Sequence, residues 1–316
     1  MRELSTDFLK APAEAEQYGR CGIVAVVGRA NVGKSTLLNH LVDEKVSIVS
    51  SVPQTTRNII RAVLTEEKGQ LVFLDTPGVH KAKYELNHLM NRMARNTASG
   101  ADVALLVLDG SQPPRAEDEG WMRRLCRAEA LPIFALNKHD LQPWHEEEYR
   151  ELWNLVATEK GREPDEVRWY AVSAAASRGL KALTEALFAA VPESPLLFPP
   201  GLLSDFPRKL AIADLVREKF LDELRDEIPH ALAVEVSSLE ETDSQWRIRL
   251  EITVKRTGQK AIVIGRKGRL LKKIRARSEQ ELSQFYDIPV VLDIWVKVDP
   301  KWDRNHWVLK RLGYRQ

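Results

Sequence analysis

Gly28-Arg29-Ala30-Asn31-Val32-Gly33-Lys34-Ser35 fits the pattern G-x-x-x-x-G-K-[ST], in which a glycine-rich turn wraps an anion and successive backbone N–H groups point at phosphate oxygens. The flanks agree with that reading. The apolar run Gly22–Val27 reads as a buried strand leading in, and Ser35–Val42, with Leu37, Leu38 and Leu41 on one side, as a helix leading out. The N-terminus of that helix adds a dipole favourable to negative charge. Lys34 is expected to reach the β- and γ-phosphates and the Ser35 hydroxyl to hold Mg²⁺. Gly28, Asn31, Val32, Gly33 and Thr36 complete the cradle. The stretch therefore implies a bound nucleoside triphosphate.

Three further elements follow in order. Asp75-Thr76-Pro77-Gly78 ends the apolar run Gln70–Leu74. It puts a carboxylate where Mg²⁺ can be held through water and the Gly78 N–H where it can contact the γ-phosphate; a plain Thr-Pro-Gly turn is compatible with both. Asn137-Lys138-His139-Asp140 follows Leu131–Leu136, at the sheet edge where ligands of parallel α/β proteins gather. An aspartate accepts two hydrogen bonds side by side, which matches the paired N1–H and N2–H donors of guanine and nothing on adenine, so Asp140 selects GTP. Ser173-Ala174-Ala175, after Trp169–Val172, supplies small residues whose backbone can approach the guanine O6.

These four elements, with Gln54-Thr55-Thr56-Arg57 between the first two, resemble the GTP-binding domain of the Era family of translation-factor-related GTPases. The resemblance implies that a threonine of the Thr-Thr-Arg segment reaches Mg²⁺ when GTP is bound and closes the first mobile loop. Alignment to the arginine favours Thr56 over Thr55. On the residues alone, Ser50–Asn58 is a polar loop. Ser35, Thr56 and Asp75 form the expected metal set, and Lys34, Thr56 and Gly78 the groups expected at the transferred phosphate.

The chain has 316 residues, 44% of them hydrophobic, which suits two compact units. Cys21 and Cys126 are its only cysteines, too few and too far apart for a disulfide framework or a zinc site, as in a reducing cytosol. Met1–Tyr18 has no apolar core of a signal peptide, and no run approaches the roughly 20 residues of a membrane span. Pro192-Glu193-Ser194-Pro195 and Pro199-Pro200-Gly201 favour an extended connection over a helix. The expected organisation is an N-terminal extension over 1–19, a GTP-binding α/β domain over 20–191 with a mostly parallel sheet and helices on both faces, a linker over 192–206 and a second domain over 207–316. Glu146-Glu147-Glu148 reads as a solvated first helical turn.

The net charge of +2 conceals a second clue: Ser244–Gln280 holds twelve Lys or Arg against two Glu, a local +10. Such a run is often only a solvated face, but this one has a pattern. Trp246–Val254 alternates as a half-buried strand does, and Ile262-Val263-Ile264-Gly265-Arg266-Lys267-Gly268 leads into a helical stretch through Leu270, Leu271 and Ile274. Gly265-Arg266-Lys267-Gly268 is the G-x-x-G loop of a KH domain. Its glycines allow a nucleic-acid backbone to come close while Arg266, Lys267 and Lys272 meet phosphates, and the adjoining groove takes about four unstacked nucleotides. The predicted order is helix (Lys209–Arg225), strand (Ala233–Leu239), strand (Trp246–Arg256), short helix, G-x-x-G, helix (Arg269–Tyr286) and strand (Val290–Val298), an α+β type II KH arrangement. Trp295, Trp302 and Trp307 are expected in the hydrophobic core rather than as base-stacking groups.

With a C-terminal KH domain, the resemblance to the Era family spans nearly the whole chain. Further matches are Pro207-Arg208-Lys209 with Arg217-Glu218-Lys219 in the linking helix, Leu292–Val298 and Leu309–Tyr314. The departures are modest: Ala30 replaces the usual proline, His139 fills a variable slot, and the N-terminal extension is long. The resemblance implies a GTPase that binds the 3′ region of small-subunit (16S) ribosomal RNA and assists rRNA processing and assembly of the small (30S) subunit. It implies a cytoplasmic, monomeric protein with a fraction on the inner face of the membrane. Val79 stands where Ras-like proteins carry the water-orienting Gln, so slow intrinsic hydrolysis is expected. In related GTPases an asparagine at the position of Asn31 helps bind K⁺; a loop-shaping hydrogen bond is the equal alternative. Two other classes are an RNA chaperone with the nucleotide domain as a timer, and a lipid-binding role for the basic face.

Overall fold

A computed structural model describes residues 18–50, 55–78, 90–91, 93–94 and 100–314. The expected N-terminal extension as far as residue 17, together with Gln54, Val79 and most of the segment after it, lies outside the described residues.

The four apolar runs read from the sequence, Gly22–Val27, Gln70–Leu74, Leu131–Leu136 and Trp169–Val172, fall in one sheet together with three strands that were not read there. Its strands are β1 (Tyr18–Val27), β2 (Ile60–Glu66), β3 (Gly69–Asp75), β4 (Val103–Asp109), β5 (Leu131–Asn137), β6 (Arg168–Ala171) and β7 (Glu193–Pro195). They lie in the order β2-β3-β1-β4-β5-β6, with β7 antiparallel against the start of β1. Every pairing along β3-β1-β4-β5-β6 is parallel, and β2, like β7, runs antiparallel to its neighbour, here β3. All of β4 is buried, as a strand covered on both faces must be. One face packs under the helices α1 (Lys34–Val42), which follows the phosphate loop, and α4 (Leu180–Ala190), through Leu37, Leu38, Leu183 and Leu187. The other packs under α2 (Ala116–Leu125) and α3 (Glu146–Lys160), through Trp121, Met122, Tyr149 and Trp153. Glu146, Glu147 and Glu148 form the first turn of α3. With this topology the C-terminal ends of β1, β3, β4, β5 and β6 share one edge, which carries the site.

The proline-rich connection is extended but not loose. β7 is part of the sheet, and Ser204 bridges Ala62 on β2. β1 begins at Tyr18, inside the stretch assigned to the N-terminal extension.

The second unit is built from α5 (Arg208–Glu223), α6 (Ile228–Ala231), β8 (Ala233–Glu241), β9 (Trp246–Val254), α7 (Thr257–Ile264), α8 (Arg269–Tyr286), β10 (Val290–Val298) and α9 (His306–Arg311). Its sheet has the order β10-β9-β8, with β8 antiparallel and β10 parallel to β9. The inner face of the sheet, with Ile248, Leu250, Ile252 and Leu292, packs on Val216 and Phe220 of α5 and on Ile274 and Leu282 of α8.

Two of the three tryptophans expected in the core are outside it. Trp302 is fully buried and donates its Nε1–H to the carbonyl of Ala231, but Trp295 is 65% and Trp307 70% exposed. Strand parity explains Trp295. Val290, Leu292 and Val296 face inward on β10, so residue 295 faces out. In the short helix α9, Leu309 takes the buried position and Trp307 does not.

Candidate nucleotide and RNA sites

The phosphate loop leaves β1 and enters α1 with Gly33 at φ 96°, beyond the reach of an ordinary side chain. A Cβ there would meet the Asn137 amide nitrogen at 2.4 Å, so the loop and the residue-137 turn are fitted to one another through this glycine. Asn31 adopts a left-handed φ of 64°, which asparagine tolerates better than most residues. Gly78 packs on Ala30, where an added Cβ would lie 2.7 Å from the Ala30 Cα. Between these loops opens a cavity of about 460 Å³ lined by Asn31, Lys34, Ser35, Thr36, Thr56 and Gly78, among others.

Lys34 is buried and donates to the carbonyl oxygens of Gly28 (3.2 Å) and Arg29 (2.8 Å). Burial pulls its ammonium down to about 8. Beside Lys34, Asp75 is fully buried at the end of β3, and burial pushes its carboxyl up against the opposing charge of Lys34. Its Oδ2 accepts from Ser35 Oγ (2.8 Å), Ser47 Oγ (3.0 Å) and Thr56 Oγ1 (3.5 Å), and the Ser35 and Thr56 hydroxyls are 2.9 Å apart. Asp75 Oδ1 is buried with no partner among the described residues. Hard oxygen donors from two hydroxyls beside one carboxylate suit Mg²⁺, which keeps waters and takes its other ligands from substrate phosphates. No cluster of three or more His, Cys, Asp or Glu among the described residues offers a competing metal site.

At the end of β5, Asn137 donates from Nδ2 to the Val32 carbonyl (2.8 Å) and accepts at Oδ1 from the Ala174 N–H (2.9 Å). It thereby ties the phosphate loop, the β5 end and the β6 end together. Ser173, expected to contribute only backbone, also donates its hydroxyl to Asp140 Oδ1, and this bond holds the Asp140 carboxyl below its ordinary range. Ala175 is exposed beside it, while Thr76 is buried and anchored to the Val26 carbonyl at 2.8 Å with Pro77 buried next to it. Lys138 is 2.8 Å from Asp109 at the end of β4. The Asp109 carboxylate also faces Arg29 of the phosphate loop at 3.6 Å, and Arg29 in turn pairs with the buried Asp118 at 3.1 Å. Burial pushes the Asp118 carboxyl up, and the facing Arg29 opposes that rise.

The Thr55-Thr56-Arg57 segment is held by the second unit. Arg57, 1% exposed, donates to the carbonyls of Leu232 (2.8 Å), just after α6, and Pro229 (3.1 Å), in its first turn. Arg217 of α5 donates to the Thr55 carbonyl, and Asn58 to the Leu312 carbonyl (3.3 Å). Met90 joins Ala233, Trp302, Leu309, Leu312 and Tyr314 in one buried cluster. Polar and apolar contacts thus bind the surroundings of the nucleotide cavity to the C-terminal unit.

On that unit, Arg266–Gly268 forms a single tight turn between α7 and α8, with Gly265, Lys267 and Gly268 all at positive φ. Arg266, Lys267 and Lys272 are exposed. The charge is less uniform than the sequence suggests. Arg249, Lys255, Lys273, Arg275 and Arg277 are paired with Asp293, Asp303, Glu223, Glu279 and Asp222. The cations without an ion pair among the described residues concentrate on α7, the turn and the first half of α8.

Sequence reasoning missed Ser47, Asn39, Arg29, Asp109, Arg57 and Arg217 as parts of this arrangement. Ser47 carried a local signal as a lone polar residue in Val46-Ser47-Ile48-Val49, and Arg57 and Arg217 stood in segments that match the family without showing which partners they hold.

A phosphate loop, a guanine-type recognition turn on the same sheet edge and an appended α+β unit with an exposed G-x-x-G turn define a P-loop GTPase with a KH domain. A family model described as a 50S ribosome-binding GTPase matches residues 23–138, and a KH domain model matches residues 227–303. The GTPase Era of Geobacter sp. is 38% identical over 301 residues, covering 95% of this chain and 99% of its own. That of Rippkaea orientalis is 35% identical over 298 residues, covering 94% of this chain and 93% of its own. The crystal structure of Era with MgGDPNP and nucleotides 1506–1542 of 16S ribosomal RNA aligns with a TM-score of 0.86 at 34% identity, covering 94% of this chain and 100% of that one. A point variant of Aquifex aeolicus Era bound to GDP.AlF4⁻ aligns equally well, with a TM-score of 0.86 at 34% identity, over 94% of this chain and 99% of its own. This chain belongs to the Era family of GTPases.

Proposed function

We propose that this chain binds GTP with Mg²⁺, hydrolyses it, and binds the single-stranded 3′ region of small-subunit ribosomal RNA through its KH turn, in the service of rRNA processing and 30S assembly. The observation that carries the reading is the convergence of the Ser35, Thr56 and Asp75 oxygens beside the Lys34 cavity, on a chain whose other end exposes Arg266 and Lys267. The Era structure solved with MgGDPNP and 16S nucleotides supports both halves.

In this reading Lys34 leaves the carbonyls of Gly28 and Arg29 and turns to the β- and γ-phosphates, exchanging weak acceptors for charged ones. Asp140, oriented by Ser173, accepts the two guanine donors. Ser35, Thr56 and Asp75 would hold Mg²⁺, which would supply neutralisation of the phosphate charge. The Gly78 N–H meets the γ-phosphate. With Val79 at the Ras glutamine position, hydrolysis is slow unless backbone or a partner orients the water; Asn31 either shapes the loop or would help hold a K⁺ that would add positive charge at the phosphates. Turnover in KCl is expected to exceed that in NaCl; equal rates leave Asn31 with loop shape alone.

The Thr55–Asn58 contacts to the C-terminal unit support linkage between nucleotide and RNA, which is reciprocal by thermodynamic necessity. The protein acts as a cytoplasmic monomer that meets the immature small subunit, with a peripheral fraction on the inner membrane; among the described residues no helix is long and apolar enough to cross it. The test is a titration of 3′-end RNA oligonucleotides in the GDP state and with a non-hydrolysable GTP analogue. R266E/K267E is expected to abolish RNA binding while most of the basic face still meets anionic vesicles. Equal loss of both activities removes the KH assignment. Equal RNA affinity in the two nucleotide states removes the linkage.

A further inference from the structure

Three hydroxyls converge on Asp75 Oδ2, and the motifs account for only two of them. The third belongs to Ser47, which is 2% exposed and lies 3.0 Å from the carboxylate oxygen. Its backbone is fixed independently. Asn39 of α1 donates to the Ser47 carbonyl (2.8 Å) and accepts from the N–H groups of Val46 (3.1 Å) and Ser47 (2.9 Å). Two residues before it, Lys45 pairs with Glu218 of α5 at 3.0 Å and with Glu281 of α8 at 2.6 Å. α8 is the helix that begins directly after the G-x-x-G turn. Three consecutive residues thus touch the helix behind the RNA turn, the helix behind the phosphate loop, and the metal-site carboxylate.

We propose that Ser47 is a positioning residue for Asp75, and that the Lys45–Ser47 segment carries displacements of α8 to that carboxylate. Ser35 and Thr56 are the hydroxyls assigned to the ion, so Ser47 is the donor left to orient Asp75 when they turn away. The second half of the proposal rests on the reading that this chain binds both nucleotide and RNA. A hydrogen bond to a buried carboxylate is worth enough to shift the effect of the ion roughly tenfold. Lys45 and Glu281 are partly exposed, and the buried Glu218 and Lys219 that they also meet stay paired with one another at 3.2 Å, so replacing either leaves no buried charge alone.

The experiment measures binding and release of a fluorescent GDP analogue, in Mg²⁺ and in EDTA, with and without a 3′-end RNA oligonucleotide. S47A is expected to bind as the parent does in EDTA and to lose roughly tenfold of the tightening that Mg²⁺ confers, while S47T retains it. K45M and E281Q are expected to keep that tightening and RNA affinity, and to lose the change in GDP release that RNA provokes in the parent. An S47A protein with the parent's full response to Mg²⁺, or one weakened equally in EDTA, overturns the positioning role. An RNA effect on GDP release that persists in both K45M and E281Q overturns the relay. A parent protein whose GDP release ignores RNA removes the relay and the nucleotide–RNA linkage together, but leaves the EDTA comparison to decide Ser47 on its own.

Discussion

Lys34 waits in its loop at a protonation poise unusual for a lysine. Burial brings its ammonium down to about 8, whereas a phosphate partner favours the charged form and raises it again. The nucleotide complex therefore holds a proton that the empty site has begun to lose above that pH. GDP affinity is expected to be flat below about pH 8 and to fall by up to about tenfold per pH unit above it. Calorimetry at pH 9 in two buffers of different ionisation enthalpy should register proton uptake on binding. At this scale the motif residues were legible because their chemistry is local: Gly33, Lys34 and Ser35 act through backbone and side chains within one turn. Asn137 and Asp140 stand at a strand end that hydrophobic patterning already marks. Arg57 and Ser47 were not legible in the same way. Arg57 has its acceptors at Pro229 and Leu232 and Ser47 its carboxylate at Asp75, and such distant pairings leave no trace in spacing.

Among the elements, the G-x-x-G turn shows how unequal two similar glycines can be. Both Gly265 and Gly268 sit at positive φ, but a Cβ at Gly265 would meet Leu270 Cβ at 2.7 Å and its backbone nitrogen at 2.9 Å, whereas one at Gly268 meets nothing within 4 Å. G268A is expected to cost only the left-handed strain of an alanine, about 1 kcal/mol. G265A must in addition displace the first turn of α8, with a larger fall in thermal midpoint and loss of RNA binding. Melting curves alongside RNA titrations of the two variants check the ranking; equal losses would contradict it. The elements placed from the sequence lie within a few residues of their observed bounds, because continuous apolar runs mark buried strands and i, i+3, i+4 spacing marks helices, whereas β2, β4, α2, α4, α6 and α9 were not placed and β7 was read as part of a linker. Trp295 was misread for want of one step. Its parity on β10 opposes that of Leu292 and Val296, and a large aromatic side chain outweighed that count.

For the whole molecule, the ties at Arg57 matter more than any single site. R57M removes the donor from two buried carbonyls, a loss of about 1–3 kcal/mol, and frees the residue next to Thr56 from the C-terminal unit. The ratio of RNA affinities between the GTP-analogue and GDP states should shrink toward one. RNA titrations in both states measure it, and an unchanged ratio would assign the linkage to other contacts. Neither this tie nor the Met90 cluster could be read from the chain, since each joins surfaces that only the folded units present. The cluster also bears on how the gene tolerates damage. A nonsense mutation just before Trp302 would spare the phosphate cradle, the guanine turn and the G-x-x-G helix, yet delete Trp302, Leu309, Leu312 and Tyr314 from around Met90. The shortened product should still retain guanosine nucleotides on an affinity column while failing as a switch, so complementation assays and ligand assays would disagree about the same allele.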